Sequence, residues 1–302
     1  MTLKDITAYT SPCSAFSGYN KPFEEADFVV IGAPYDGTST FRAGSRFGPQ
    51  AIREASMNIE TYSVRSGLDV EDLKICDVGD LHIAETPAKT LERLTLVVND
   101  VAAAKKIPVV IGGEHTLTMG AVRAFGKNVA VLDFDAHMDL RDEYMGSRLS
   151  HTTFMRRLAD EIGSKKIVQV GVRAICKDDR KFAEEAELTY ITANEIRQSG
   201  SKKVAQVIED FLSPQKSVYL TVDADVLDPA YAPAVGNPEP DGLSTTTLLD
   251  ILQDACNGRI VGFDLVEVAP HYDSGITAVQ AAKIIFEIMC YVEKARKELS
   301  QH

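Results

Sequence analysis

The sequence predicts an α/β fold, a parallel sheet covered by helices on both faces. Short β-branched runs alternate with longer helical patterns along the chain. Residues 87–105 repeat their apolar positions Leu91, Leu94, Val97, Val98 and Val101 every three to four residues, as a helix with one buried face does. Stretches rich in Gly, Pro and polar residues (Pro34–Pro49, Arg141–Ser150 and Ala230–Leu243) read as loops over one end of the sheet.

In chain order the candidate strands are Phe28–Ala33, Leu73–Val78, Ile107–Ile111, Val129–Phe134, Ile167–Gly171, Leu188–Ile191, Ser217–Val222 and Ile260–Asp264, eight in all. The helix Pro87–Lys105 falls between the second and third. The 302 residues, 45% of them hydrophobic, suffice for one large core. Two domains would fit the length, but no repeat, low-complexity tract or linker divides the chain, so residues 1–302 read as a single domain.

Composition narrows the function. Nothing near the start has the basic beginning and apolar run of a signal peptide, and no apolar stretch approaches the roughly 20 residues needed to cross a bilayer. A soluble cytoplasmic protein is expected, with no membrane partner. Cys13, Cys76, Cys176, Cys256 and Cys290 are odd in number and form no CxxC pair, which suggests neither a disulfide framework nor a thiolate zinc site. A formal charge of −12 with no basic cluster argues against nucleic acid and would suit a small cationic substrate.

In an open parallel sheet, ligands gather at the carboxyl ends of the strands. Four of the predicted strands end in chemistry: "GGEHT" with His115, "DAHMD" with Asp135, His137 and Asp139, "DADVLDP" with Asp223 and Asp225, and "DLVEVAP" with Asp264 and Glu267. Alternation within "DAHMD" and "DAD" would turn their side chains to one side if the backbone stayed extended. Imidazoles and carboxylates without thiolates favour Mn(II), with Zn, Fe, Co and Ni as alternatives. Four carboxylates would overcharge one ion. Two ions roughly 3.5–4 Å apart would let carboxylates bridge and would hold a hydroxide for hydrolysis. A lone Asp after a strand is more often a helix cap or turn former, and a lone His a satisfied structural residue. Asp228, before Pro229, reads as a turn former, and Asp133, out of phase with Asp135, as support. It is the conjunction of the motifs that points to metal.

"GGEH", "DAHMD", "DADVLDP" and "DLVEVAP", with the earlier "GSRFGPQAIR", resemble the ureohydrolases, the arginases, agmatinases and relatives that convert guanidino groups to urea and an amine. The resemblance runs from about Gly32 past Glu267 and keeps the family's motif order. It implies an arginase-like three-layer α/β/α fold with an eight-stranded parallel sheet, two Mn2+ per subunit and a homo-oligomer, trimer or hexamer. By motif, His115, Asp135, Asp139 and Asp223 would hold one manganese, and Asp135, His137, Asp223 and Asp225 the other, with Asp135 and Asp223 bridging. A bridging hydroxide would attack the guanidinium carbon while Asp139 orients it and takes up its proton. Glu267 would hold the guanidinium, and His151, in "SRLSHTT", would shuttle protons to the leaving amine. The chain departs from the pattern at Glu114, where many relatives have Asp, and at Thr152, where relatives often have Gly.

Substrate choice rests partly on absences. Arginases bind the amino-acid end through an Asn two residues beyond DAHxD and a Ser and an Asn before the shuttle histidine. This chain has Arg141 and Leu149 in place of the Asn residues and keeps only Ser147. An unsatisfied α-carboxylate would cost on the order of 1–3 kcal/mol per buried group, which disfavours arginine. The remaining motifs look most like agmatinases, whose reaction takes agmatine to putrescine and urea. Asp142, Glu143, Glu239 or Asp241 could receive the distal amine. Arg141 cuts the other way: pointing into the pocket, it would favour guanidinobutyrate. A two-metal phosphoesterase would want cations around the metals, a deacetylase of related fold a smaller one-zinc set, and a regulatory homologue broken motifs.

Overall fold

Eight parallel strands and one short antiparallel strand share one sheet in the computed structural model, which describes residues 4–300; residues 1–3 and 301–302 of the expected span lie outside the described residues. The strands are β1 (Thr10–Ser11), β2 (Phe28–Ala33), β3 (Tyr62–Ser63), β4 (Leu68–Asp69), β5 (Ile75–Leu81), β6 (Ile107–Gly112), β7 (Ala130–Phe134), β8 (Ile167–Val172), β9 (Thr189–Thr192), β10 (Val218–Asp223) and β11 (Ile260–Val266). The sheet order is β1-β5-β2-β6-β11-β10-β7-β8-β9, and β3 and β4 pair separately. The helices are α1 (Lys4–Tyr9), α2 (Gly48–Ser56), α3 (Pro87–Ala103), α4 (Leu117–Arg123), α5 (Phe154–Ile162), α6 (Lys177–Glu185), α7 (Ala193–Ser199), α8 (Ser201–Leu212), α9 (Thr245–Ala255) and α10 (Ile276–Ser300).

Period-two alternation builds the three layers. Val30, Val109, Leu132 and Leu220 face one way into a core shared with α2 and α7 to α10. Their neighbours Val29, Val110 and Val131 face the other way, against α1 and α3 to α6. Both faces are therefore dry, which is why β2, β6, β7 and β10 are buried at every position.

The ninth strand escaped the sequence because two residues carry no periodicity. Thr10 and Ser11 pair with Leu81 and Asp80 of β5. Gly79, at φ +90°, permits this: a Cβ there would lie 1.9 Å from the Ser11 carbonyl oxygen. Other boundaries moved for local reasons. The predicted helix Pro87–Lys105 starts at Pro87, where the Thr86 hydroxyl accepts from the Lys89 amide, but stops at Ala103 because Lys105 turns to φ +60°. The run Leu73–Val78 begins only at Ile75, after a 3-10 turn that Asp69 caps by accepting from the Glu71 amide, and continues to Leu81. The loop Pro34–Pro49 holds a 3-10 turn at Ser45–Phe47 and gives its last two residues to α2. No helix among the described residues is long and apolar enough to cross a membrane.

Arg53 of α2 anchors the sheet edge. Its guanidinium, 1% exposed, donates to both Asp77 carboxylate oxygens at 2.8 and 2.9 Å and to Asp80 at 2.5 Å. Burial works against the charge, but the two aspartates more than offset it and raise the Arg53 pKa. Removing Asp77 leaves the buried guanidinium with Asp80 as its remaining carboxylate partner, so Asp77→Ala is expected to lower unfolding free energy by about 3–5 kcal/mol. Denaturant unfolding measures this, and a loss under about 1 kcal/mol would refute the assignment.

Candidate metal centre

The four strands whose ends carry the candidate ligands are neighbours, in the order β6-β11-β10-β7. Residues far apart in sequence thus meet over the middle of the sheet. His115 follows β6; Asp135, His137 and Asp139 follow β7; Asp223 closes β10 and Asp225 follows it; Glu267 follows β11.

The side chains do not converge through simple alternation. Asp139 adopts φ +51°, and residues Ala224–Val226 form a 3-10 turn, so neither motif remains extended. The aspartates themselves bend the chain. Asp135 accepts from the His137 amide at 2.6 Å and Asp223 from the Asp225 amide at 2.8 Å, short side-chain turns that compete with the extended form.

Two groups of ligand atoms result, each with its members within 4.8 Å of one another: His115, Asp135 and Asp139, and Asp135, His137 and Asp225. Asp135 belongs to both. His115 Nδ1 lies 2.9 Å from Asp135 Oδ2 and 3.1 Å from Asp223 Oδ2, while His137 Nδ1 lies 3.0 Å from Asp225 Oδ2 and 3.5 Å from Asp135 Oδ1.

A buried network fixes the tautomer of His115. The Thr221 hydroxyl donates to Asp264 Oδ1 at 2.5 Å and so accepts from His115 Nε2 at 2.9 Å; Thr118 donates to the other Asp264 oxygen at 2.9 Å. The Nδ1 lone pair then faces the carboxylates. His115 Nδ1 and Asp135 Oδ2 are buried 2.9 Å apart, yet neither makes a well-aligned hydrogen bond. A divalent cation would satisfy both, so the residues present fit a metal centre. Asp264, inside β11 rather than beyond its end, does its work through this network. Asp133 supports from behind, its Oδ2 accepting from the Gln169 side-chain Nε2 at 2.8 Å.

The electrostatics agree. Burial lowers His115 and His137, but their aspartate neighbours overcome it and hold both well above the usual imidazole range. Burial and neighbouring aspartates push Asp139 and Asp223 well above the usual carboxylate range. Burial also raises Asp135, yet the two histidines drive it below that range. Such opposed shifts mark a site that lacks internal charge balance.

Glu267 and His151 face the same place. Glu267, at φ +65°, accepts from the His115 amide at 2.8 Å, and burial pushes it up to about 8. His151 Nε2 lies 3.0 Å from the Thr40 hydroxyl, and its amide donates to the Thr38 hydroxyl at 3.0 Å. Burial, then His137 and His115, bring His151 down to about 4. Glu114 supports this loop, accepting from the Thr38 amide at 2.7 Å, the Thr38 hydroxyl at 2.5 Å and the Thr116 hydroxyl at 2.6 Å. His137, Asp139, His151, Asp225 and Glu267 line a recess of about 30 Å³. The recess opens into a chamber of about 470 Å³ through shared walls at His137, Asp139, Thr152 and Asn237.

The chamber sorts the residues proposed for the far end of a substrate. Glu239 lines it; Asp142 instead pairs with Arg148 and Arg157, and Asp241 with Arg197, while Glu143 is exposed away from the wall. Ser147 is spent on the Leu149 carbonyl. Arg141 lines the chamber with its guanidinium 4.6 Å from the centre of the Tyr144 ring. Sequence reasoning missed Arg173, directly after β8, and Asp179 in α6, both on the chamber wall. Arg173 donates to the carbonyls of Asp225, Val226 and Leu227 and clamps the turn that carries Asp225. An arginine directly after a strand was the available signal.

Comparison with known proteins gives a consistent result. Residues 26–291 match the model of the arginase family. The chain is 37% identical to an agmatinase of Bacillus anthracis over 274 residues, covering 88% of this chain and 92% of that protein. It is 36% identical to an N(1)-aminopropylagmatine ureohydrolase of Thermococcus kodakarensis over 267 residues, 87% of this chain and 90% of the other. The crystal structure of agmatine ureohydrolase from Thermoplasma volcanium superposes with a TM-score of 0.89 at 35% identity, covering 95% of this chain and 97% of that one.

Proposed function

Because the chain belongs to the arginase family of ureohydrolases and is a hydrolase, we propose that it cleaves agmatine to putrescine and urea. The observation that carries this reading is the meeting of both ligand groups, Glu267 and His151 at one small recess. The recess could receive a guanidinium group, and the adjoining chamber the chain behind it. Agmatinase and aminopropylagmatine ureohydrolase activities in the relatives add support.

Two divalent ions, manganese by the character of the donors, would lower the pKa of a bound water enough for attack near neutral pH. His115, Asp135, Asp139 and Asp223 would hold one, and Asp135, His137, Asp223 and Asp225 the other. The Glu267 carboxylate holds and orients the guanidinium by charge-assisted hydrogen bonds. Asp139 accepts the proton of the attacking water. His151, neutral above about pH 4, relays a proton to the departing amine nitrogen, so that water is added across the broken C–N bond.

A second reading has its own observation. Arg141 on the chamber wall would complement a carboxylate tail and favours guanidinobutyrate. The test is urea release by the manganese-loaded protein from agmatine, guanidinobutyrate and arginine, with agmatine expected to give the highest kcat/KM. Preference for arginine overturns the substrate, and urea from none of them overturns the activity.

A further inference from the structure

The ring of His151 is held from a loop other than its own. Among the described residues its one hydrogen-bond partner is the Thr40 hydroxyl, 3.0 Å from Nε2 and 111 positions away in the chain. The loop of residues 34–49 that carries Thr40 is braced at two points. Thr38 donates its amide and its hydroxyl to the buried Glu114 and accepts from the His151 amide at 3.0 Å. Asp36, also buried, accepts from the Gly44 amide at 2.8 Å and pairs with Arg46 at 2.5 Å, which closes the loop beyond Thr40. The two partners differ in their access to water. His151 is 7% exposed and lines the recess, whereas Thr40 is exposed and lines the chamber. A hydroxyl is one donor and two acceptors. The Thr40 side chain makes no second hydrogen bond among the described residues, and on an exposed residue water meets the remaining positions.

We propose that Thr40 is the positioning residue of His151: its hydroxyl holds Nε2, leaves Nδ1 as the ring nitrogen that serves the recess, and passes protons between the ring and chamber water. This rests on the ureohydrolase reading and gives the loop of residues 34–49 a part in its proton transfer. A neutral imidazole carries one N–H, and the contact at one nitrogen decides which nitrogen has it. With the Thr40 hydroxyl donating to Nε2, the proton is on Nδ1. As Nδ1–H breaks and the proton joins the departing amine nitrogen, Nε2 takes the Thr40 hydroxyl proton and the hydroxyl takes one from chamber water. The reverse path carries out the proton that the next attacking water gives up, so a full turnover leaves no net proton behind.

Thr40→Val keeps the shape of the side chain and removes the hydroxyl, while Thr40→Ser keeps the hydroxyl. In urea release from agmatine by the manganese-loaded proteins, Thr40→Val is expected to lose about 10- to 100-fold in kcat with KM unchanged, and Thr40→Ser to recover most of it. A loop that merely latches the fold would not divide the two variants in this way. Wild-type kcat in Thr40→Val, a loss carried by KM, or equal impairment of Thr40→Ser overturns the proposal. The second readout needs no turnover. Nitrogen-15 spectra of histidine-labelled protein, with diamagnetic Mg2+ in place of manganese, contain the His151 ring signals, identified by their absence from His151→Asn. These signals should shift in Thr40→Val and stay near their wild-type positions in Thr40→Ser. If no guanidine yields urea, the ureohydrolase reading fails and the spectra alone decide the positioning: the expected shift supports it, and unmoved signals in Thr40→Val overturn it.

Discussion

Asp135→Ala is expected to lose most of the bound metal and to lower urea release by well over 100-fold, beyond the 10- to 100-fold typical of outer-shell partners. Asp135 is the one residue common to both ligand groups, and its two oxygens approach different histidines. Asp223→Ala should behave alike, since Asp223 lies 3.1 Å from His115 and also receives the Asp225 amide. Asp228→Ala serves as the control. That carboxylate accepts from the amides of Ala230 and Gly242, each at 2.9 Å, and its loss should leave metal content intact. Metal analysis of the purified variants decides: two manganese ions per subunit retained in both Asp135→Ala and Asp223→Ala would contradict the bridging roles.

Metal should also stabilise the fold more strongly at pH 8 than at pH 6. His115 and His137 have folded-state values above 6.5. Without metal, their contribution is complete below 6.5 and disappears as pH rises through the folded values. Burial raises Glu267 and Asp133 to about 8. The folded chain keeps protons there that the unfolded chain has already released, so stability falls further between roughly pH 4 and 8. Asp135, shifted down, and His151, at about 4, act in the opposite direction, but only below 3.8 and 6.5 respectively. Between pH 6.5 and 8, therefore, the metal-free protein weakens while metal finds its ligands increasingly deprotonated. Each displaced proton adds about 1.4 kcal/mol per pH unit to the stabilisation by metal. Thermal unfolding with and without manganese at the two pH values measures the difference, and equal shifts would refute the linkage.

The fold was legible where burial is uniform. Strands such as β2 and β6 are dry on both faces and therefore read as unbroken apolar runs. β1 and the pair β3 and β4 were not legible, because two-residue strands are decided by their partners and not by their own pattern. The candidate ligands could be read because each stands just beyond such a run. The reason they meet could not. Alternation predicts extended backbone, whereas Asp135 and Asp223 draw the following amides into turns that only coordinates reveal. Thr221 and Asp264 lie inside strands among apolar neighbours and carry no mark of the network that orients His115.

Asp139 and Glu267 are both held at positive φ. Glycine suits that conformation best, and a designer choosing residues by backbone comfort alone would write it at both positions. The resulting protein would be easier on its main chain and would lack two of the carboxylates at the recess. Redesign for thermal tolerance has to exempt these two places, since there the preference of the backbone and the demand of the chemistry select different amino acids.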